Sequence, residues 1–185
     1  MARAGEVRKG NVIQHKDALW MVLDTQITYS GKRGAYVQVK MQSLEDQHIE
    51  TVRFSTSETV EKVFVEAKSM MYLYRSGTGY VFMEEASGEQ VELGEEMVQP
   101  VAPYLSYNAK AEIGFCKGRV VSVALPPSVV LEVVKTEPAV RGDTATNVTK
   151  PAELETGLVV RVPGHISEGE KVRVDTRSGD FLGRA

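Results

Sequence analysis

The chain lacks most of the features that mark secreted, metal-bound or membrane proteins. A single cysteine, Cys116, stands among 185 residues, so no disulfide closes within the chain. Three histidines, His15, His48 and His165, lie far apart and show no ligand-type spacing, which leaves no structural zinc motif. The longest apolar run, Ala18 to Leu23, falls far short of the roughly 18 residues of a membrane span, and Met1 to Gln14 holds no signal-peptide stretch. These absences predict a soluble, cytoplasmic protein that engages no membrane. Positive charge is also scarce: the formal net charge is -3, so nucleic acid is not coated through bulk electrostatics.

Catalytic constellations are missing too. A phosphate-cradling loop around Gly31-Lys32 needs glycine where Gln26 stands and Ser or Thr where Arg33 stands. Gly77 and Gly79 begin a dinucleotide-type pattern, but Phe82 occupies the third glycine position. No G-x-S-x-G elbow occurs, and Cys116 lies in an apolar stretch that suits a buried thiol. The acidic pairs Glu84-Glu85 and Glu95-Glu96 are expected in strands, where neighbours face opposite sides and do not cooperate. Arg141-Gly142-Asp143 has the spelling of an adhesion tripeptide, but in a cytosolic chain it is a loop. The expectation is a protein that is not an enzyme and carries no metal or cofactor.

What the sequence does contain is strand periodicity. Hydrophobic residues make up 42% of the chain, enough to bury cores. Ala35, Val37, Val39 and Met41 alternate with polar or amphipathic residues, the period of a strand with one buried face. Leu19 to Thr28 is a second extended run, and Ser30-Gly31-Lys32-Arg33-Gly34 between them predicts a glycine-flanked hairpin tip. A second hairpin is expected from Met70 to Tyr74 and Tyr80 to Met83, and another around Lys117-Gly118. Glu95 to Leu105 allows a short helix, fragmented by Pro100 and Pro103. Pro126-Pro127 punctuates the chain before the apolar run Val129 to Lys135. Many short strands at this spacing predict an all-β protein of three small barrels, over 1–64, 65–126 and 127–185. These segments carry 9 Lys/Arg against 8 Asp/Glu, 5 against 8, and 8 against 9. An acidic middle between near-neutral ends suits contact with RNA at the extremities.

Lys32 is the unusual residue that remains, a lysine between Gly31 and Gly34. On a projecting tip it has no evident partner, and Arg33 doubles the local charge. It is either a solvated turn lysine or a probe reaching phosphate oxygens, and spacing alone does not choose. A separate reading, a general single-stranded RNA binder, draws on Tyr72, Tyr74 and Tyr80 as a stacking face.

The C-terminal third resembles the signature stretch of the elongation factor P family: Lys150, Ala152, Gly157, Val160, Val162, Pro163, Ile166 and Gly169 fill its fixed positions. Val174 to Gly179, Gly5 to Gly10 and Met71 to Tyr74 extend the likeness over nearly the whole chain. The resemblance implies an SH3-like (KOW-like) barrel followed by two OB-type barrels in an L-shaped, tRNA-like outline. It implies a monomer that binds the ribosome between the P and E sites, touching rRNA of both subunits and the P-site peptidyl-tRNA, and relieves stalling at consecutive prolines. On this likeness Lys32 is the tip residue that reaches the acceptor end of the P-site tRNA, with Ser30, Gly31, Arg33 and Gly34 as flanks. Gly142, Asp143 and Thr144 lie near the E-site codon, Arg184 contacts rRNA, and Lys32 is a candidate substrate for a lysine-modifying enzyme. Two departures stand out: Ser30-Gly31-Lys32-Arg33 replaces the common Pro-Gly-Lys-Gly and is similar to the tip of eukaryotic initiation factor 5A, and Phe181 replaces a tyrosine.

Overall fold

The computed structural model describes residues 1–31, 34–138 and 148–185. Almost all of the regular structure is antiparallel strand, in three sheets that follow chain order. The first contains β1 (Ala2–Arg3), β2 (Val12–His15), β3 (Ala18–Tyr29), β4 (Ala35–Ser43), β5 (Ile49–Ser55) and β6 (Thr59–Val63), in the order β1-β6-β2-β3-β4-β5. The second contains β7 (Glu66–Ser76), β8 (Gly79–Met83), β9 (Gln90–Gly94), β10 (Lys110–Cys116) and β11 (Arg119–Ala124), in the order β11-β10-β7-β8-β9. The third contains β12 (Ser128–Thr136), β13 (Thr149–Leu154), β14 (Val159–Pro163), β15 (Lys171–Asp175) and β16 (Phe181–Arg184), in the order β14-β13-β12-β15-β16. Two compact units result: residues 1–67 with 114–122, and residues 68–113 with 123–185. No helix among the described residues is long and apolar enough to cross a membrane.

Alternation in the sequence becomes burial in the first unit. Val37, Val39 and Met41 of β4 are buried beside Trp20 and Val22 of β3, whereas Gln38 and Lys40 point away. The Trp20 indole Nε1 donates to the His15 carbonyl at 3.0 Å, so a large apolar ring enters the core with its one donor satisfied. Cys116 is buried in a second cluster with Val12 and Val121, which fits the inert thiol expected from its apolar surroundings.

In the other unit the expected helix is fragmentary, as Pro100 and Pro103 require: one turn of α1 (Glu95–Val98), then a 3-10 turn at Ala102–Tyr104. The acidic pairs need correction, because neither lies in a strand. Glu84 and Glu85 follow β8 in a turn, paired with Lys68 at 3.8 Å and Lys110 at 3.3 Å, and Glu95 and Glu96 open α1. Extended Gly94 ends β9 there and lets the chain turn into the helix, with both carboxylates at its positive end.

The stacking face also fails. β8 lies between β7 and β9, and its residues Gly79 to Phe82 are all buried, so Tyr80 is only 8% exposed. The Tyr72 ring packs on Tyr80 and Phe82 at centroid distances of 6.0 and 5.5 Å. A register shift between Tyr72 and Tyr74 further breaks the row. Tyr72 and Tyr80 belong to the packing of the sheet, and Tyr74, at 53% exposed, is left as a single open ring in place of a row of stacking platforms.

Candidate functional site

The longest hairpin among the described residues is β3–β4, paired from Trp20 with Ser43 to Tyr29 with Ala35 and bulged between Val22 and Asp24. Beyond the last pair, the Ser30 amide donates to the Gly34 carbonyl at 3.0 Å and closes the tip. Gly31 and Gly34 have φ of +40° and +83°, and a Cβ at either would meet nothing within 4 Å. Glycine is needed there for backbone conformation and not for space. Ser30, Gly31 and Gly34 are all exposed, whereas Lys32 and Arg33 lie outside the described residues.

The base of this tip is held from outside the hairpin. Ala35 opens β4, and its carbonyl accepts both the Thr56 amide at 3.2 Å and the Thr56 hydroxyl at 3.1 Å. Thr56 is itself held, since its carbonyl accepts the Gly5 amide at 3.3 Å while the Ala4 amide donates to Glu58 at 2.8 Å. A Cβ on Gly5 would sit 3.3 Å from the Thr56 carbonyl oxygen, so glycine permits this close approach. On the outer face the Arg53 guanidinium lies 4.2 Å from the Tyr36 ring centroid. The arrangement is a finger stiffened at its root by the N-terminal turn and the β5–β6 connection. Sequence reading missed Thr56, because a threonine 21 residues from its partner carries no local signal. Thr56→Val keeps the β-branched shape and removes the hydroxyl, so it is expected to lower stability by about 1 kcal/mol and to speed exchange of the amides at position 56 and Ser30. Unchanged exchange at both amides would show that the hydroxyl does not secure the root.

Two further predicted contacts have different standing. Gly142, Asp143 and Thr144 lie outside the described residues. Arg184, in β16, is ion-paired to Glu170, and its side chain remains 58% exposed. The Ser167 amide, at 2.6 Å, and then Arg184 hold the Glu170 carboxyl below its ordinary range. Asp175 is lowered likewise by the amides of Arg177 and Ser178 at 2.7 and 3.1 Å.

Both carboxyls have folded pKa values depressed below those of the unfolded chain. They therefore contribute stability above the ordinary carboxylate range, near pH 4, and lose it as pH falls through the lower folded values. Asp175→Asn should accordingly flatten the acid limb of a melting-temperature profile below about pH 4. An acid limb as steep as that of the wild type would remove Asp175 from this account.

Comparison with known proteins decides the family. Residues 3–60 match the elongation factor P KOW-like domain, residues 65–123 the elongation factor P OB domain, and residues 129–184 the elongation factor P C-terminal domain. Elongation factor P from two strains of Acidithiobacillus ferrooxidans is 41% identical over 182 residues, covering 98% of each chain. The chain belongs to the elongation factor P family. It is a translation elongation factor built from three β domains. A solved eukaryotic translation initiation factor 5A from Methanococcus jannaschii is a looser likeness, with TM-score 0.47 and 16% identity over 66% of this chain and 92% of that one.

The elongation factor P signature proves to be a packing pattern. Lys150, Ala152, Val160 and Val162 meet as cross-strand pairs on the buried face of β13–β14, and Ile166 is fully buried beside them. Gly157 and Gly169, both at φ +82°, make the reversals that return the chain to the sheet. Lys150 is the one cation in this buried set, and its ammonium donates to the Glu137 carbonyl at 2.8 Å. Phe181 pairs with Val174 and packs partly into the same core, a place where no hydroxyl is needed.

Proposed function

We propose that this elongation factor P family chain binds the ribosome between the P and E sites, steadies the P-site peptidyl-tRNA and relieves stalling at consecutive prolines. The observation that carries the proposal is the braced β3–β4 finger with its closed tip, at which the glycines Gly31 and Gly34 on either side of Lys32 in sequence are exposed. A probe that must enter a crowded RNA site needs a narrow end and a stiff stem. Glycines supply the first, and the Thr56 and Gly5 contacts the second.

Proline is a slow reactant because its ring fixes φ and restricts how the amine and the nascent chain meet. Holding the tRNA acceptor end raises the fraction of time that reacting atoms spend in near-attack geometry, without acid–base work by the factor. Each tenfold gain requires about 1.4 kcal/mol of barrier. A charge-assisted contact from Lys32 to the tRNA backbone contributes about 1.5–3 kcal/mol, which is of the size required. In this reading the factor acts in the cytoplasm as a monomer, is not an enzyme and needs no cofactor. Gly142, Asp143 and Thr144 approach the E-site codon, Arg184 reaches rRNA, and a lysine-modifying enzyme lengthens the Lys32 side chain.

The test is reconstituted translation of a reporter with a proline run and of a matched reporter without one. Added protein should raise full-length product from the first and leave the second unchanged. Equal yields from the proline reporter with and without the protein would end the proposal.

A further inference from the structure

One side of β6 is only partly covered. β1 pairs with it at Thr59 and Val60 and goes no further, whereas β2 pairs with Glu61, Lys62 and Val63 on the other side. The strand order β1-β6-β2 gives Glu61 to Val63 no second hydrogen-bonded neighbour among the described residues. An open stretch of ladder is a template for an added strand.

Beside that stretch lies a cavity of about 460 Å³, walled by Ala2, Val12, Val63, Phe64 and Val65. Val12 is fully buried, and Val63 and Val65 pack on its cluster, so this wall is continuous with a core. Phe64 is 81% exposed, and no ring contact among the described residues involves it. Lys62 also lines the cavity, and Lys9 precedes Gly10, another lining residue. Both lysines are exposed, and neither is ion-paired among the described residues. Glu61, the neighbouring acid, faces the other side of the strand.

These features select one kind of occupant. An open ladder supplies main-chain hydrogen bonds, an apolar cavity takes a side chain, and two unpaired cations call for acidic flanks. A second copy pairing along the same edge would bring like cations together. A nucleobase would leave edge donors and acceptors unpaired against valine walls, since the Asn11 carboxamide oxygen already accepts the Arg8 amide at 3.1 Å.

We infer that the open side of β6 and the adjoining cavity form a docking site for an extended, acidic protein segment, which adds a strand beside Lys62 and seats an apolar side chain against Phe64. Val12 pairs with Met21, which puts the site roughly 25 Å along β3 from the Tyr29 end of the finger. The inference is therefore independent of the role proposed for Lys32.

The experiment titrates the full chain with three labelled peptides, Glu-Val-Phe-Val-Glu, Lys-Val-Phe-Val-Lys and Glu-Pro-Phe-Pro-Glu, and with oligouridine. The proline peptide keeps the charges and the ring but cannot join a ladder. The first peptide should bind saturably, roughly tenfold more tightly than the other two, and shift the amide resonances of Glu61 to Val63. Lys62→Glu should melt at the wild-type temperature and prefer the basic peptide, and Phe64→Ser should weaken the acidic one roughly tenfold. No saturable binding of the acidic peptide, or equal affinity for its proline version, would overturn the docking site. So would a preference that Lys62→Glu leaves unchanged. Oligouridine that binds more tightly than the acidic peptide and shifts the same amides would assign the cations to nucleic acid, and a dimer in sedimentation would assign the edge to a second copy; either result overturns the inference.

Discussion

Replacing Lys32 by alanine is expected to leave the protein folded and to remove most of its rescue of proline-run translation. The two halves of this expectation have separate causes. Ser30, Gly31 and Gly34 are exposed, and the tip is closed by the Ser30–Gly34 backbone bond, so the Lys32 side chain is not needed to make the turn. The root is fixed independently through Thr56, Gly5 and the buried residues Val37 and Val39. Melting temperature should therefore stay within about 1 °C of wild type, as for most exposed substitutions. Loss of one charge-assisted contact worth about 1.5–3 kcal/mol slows the assisted step by roughly 10- to 150-fold, enough to erase full-length product in a timed assay. Lys32→Arg keeps the charge but changes the donor geometry, and should recover only part of the effect. A Lys32→Ala protein that folds and rescues like wild type would contradict the role given to the tip.

Phe82→Ala should have the opposite profile, with stability lost first and activity lost as a consequence. Phe82 is fully buried in β8, which lies between β7 and the edge strand β9, with the Tyr72 ring 5.5 Å away. Removing a buried phenyl costs about 3–5 kcal/mol through lost transfer energy and the cavity left behind. Domains of this size have only about 5–15 kcal/mol in total, so the change consumes much of the margin. Urea unfolding should show a lower midpoint with little change in slope, and rescue at low temperature should approach wild type once the protein is folded. An unchanged midpoint would mean that the space around Phe82 collapses without loss, contrary to the close packing described.

Much of this protein was legible as sequence because its regularities are local. Alternation marked β4, glycine-flanked turns marked the hairpins, and the prolines after α1 foretold a broken helix. The family signature was readable for a related reason: Ala152, Val160, Val162 and Ile166 are core positions of one sheet, and a core constrains residue type at fixed spacing. The shorter strands β2, β6, β9 and β16 gave no comparable signal, since runs of four or five residues barely establish a period.

Tertiary structure decided everything that depends on which strand lies beside which. It buried Tyr80 between two neighbours, gave Lys150 the Glu137 carbonyl, and left Tyr29 beyond the edge of the core. It also brought Thr56 and Gly5 to the root of the finger, joining residues far apart in the chain. Side-chain period and turn chemistry are properties of a few consecutive residues, whereas burial and long-range hydrogen bonds exist only once strands have chosen their partners.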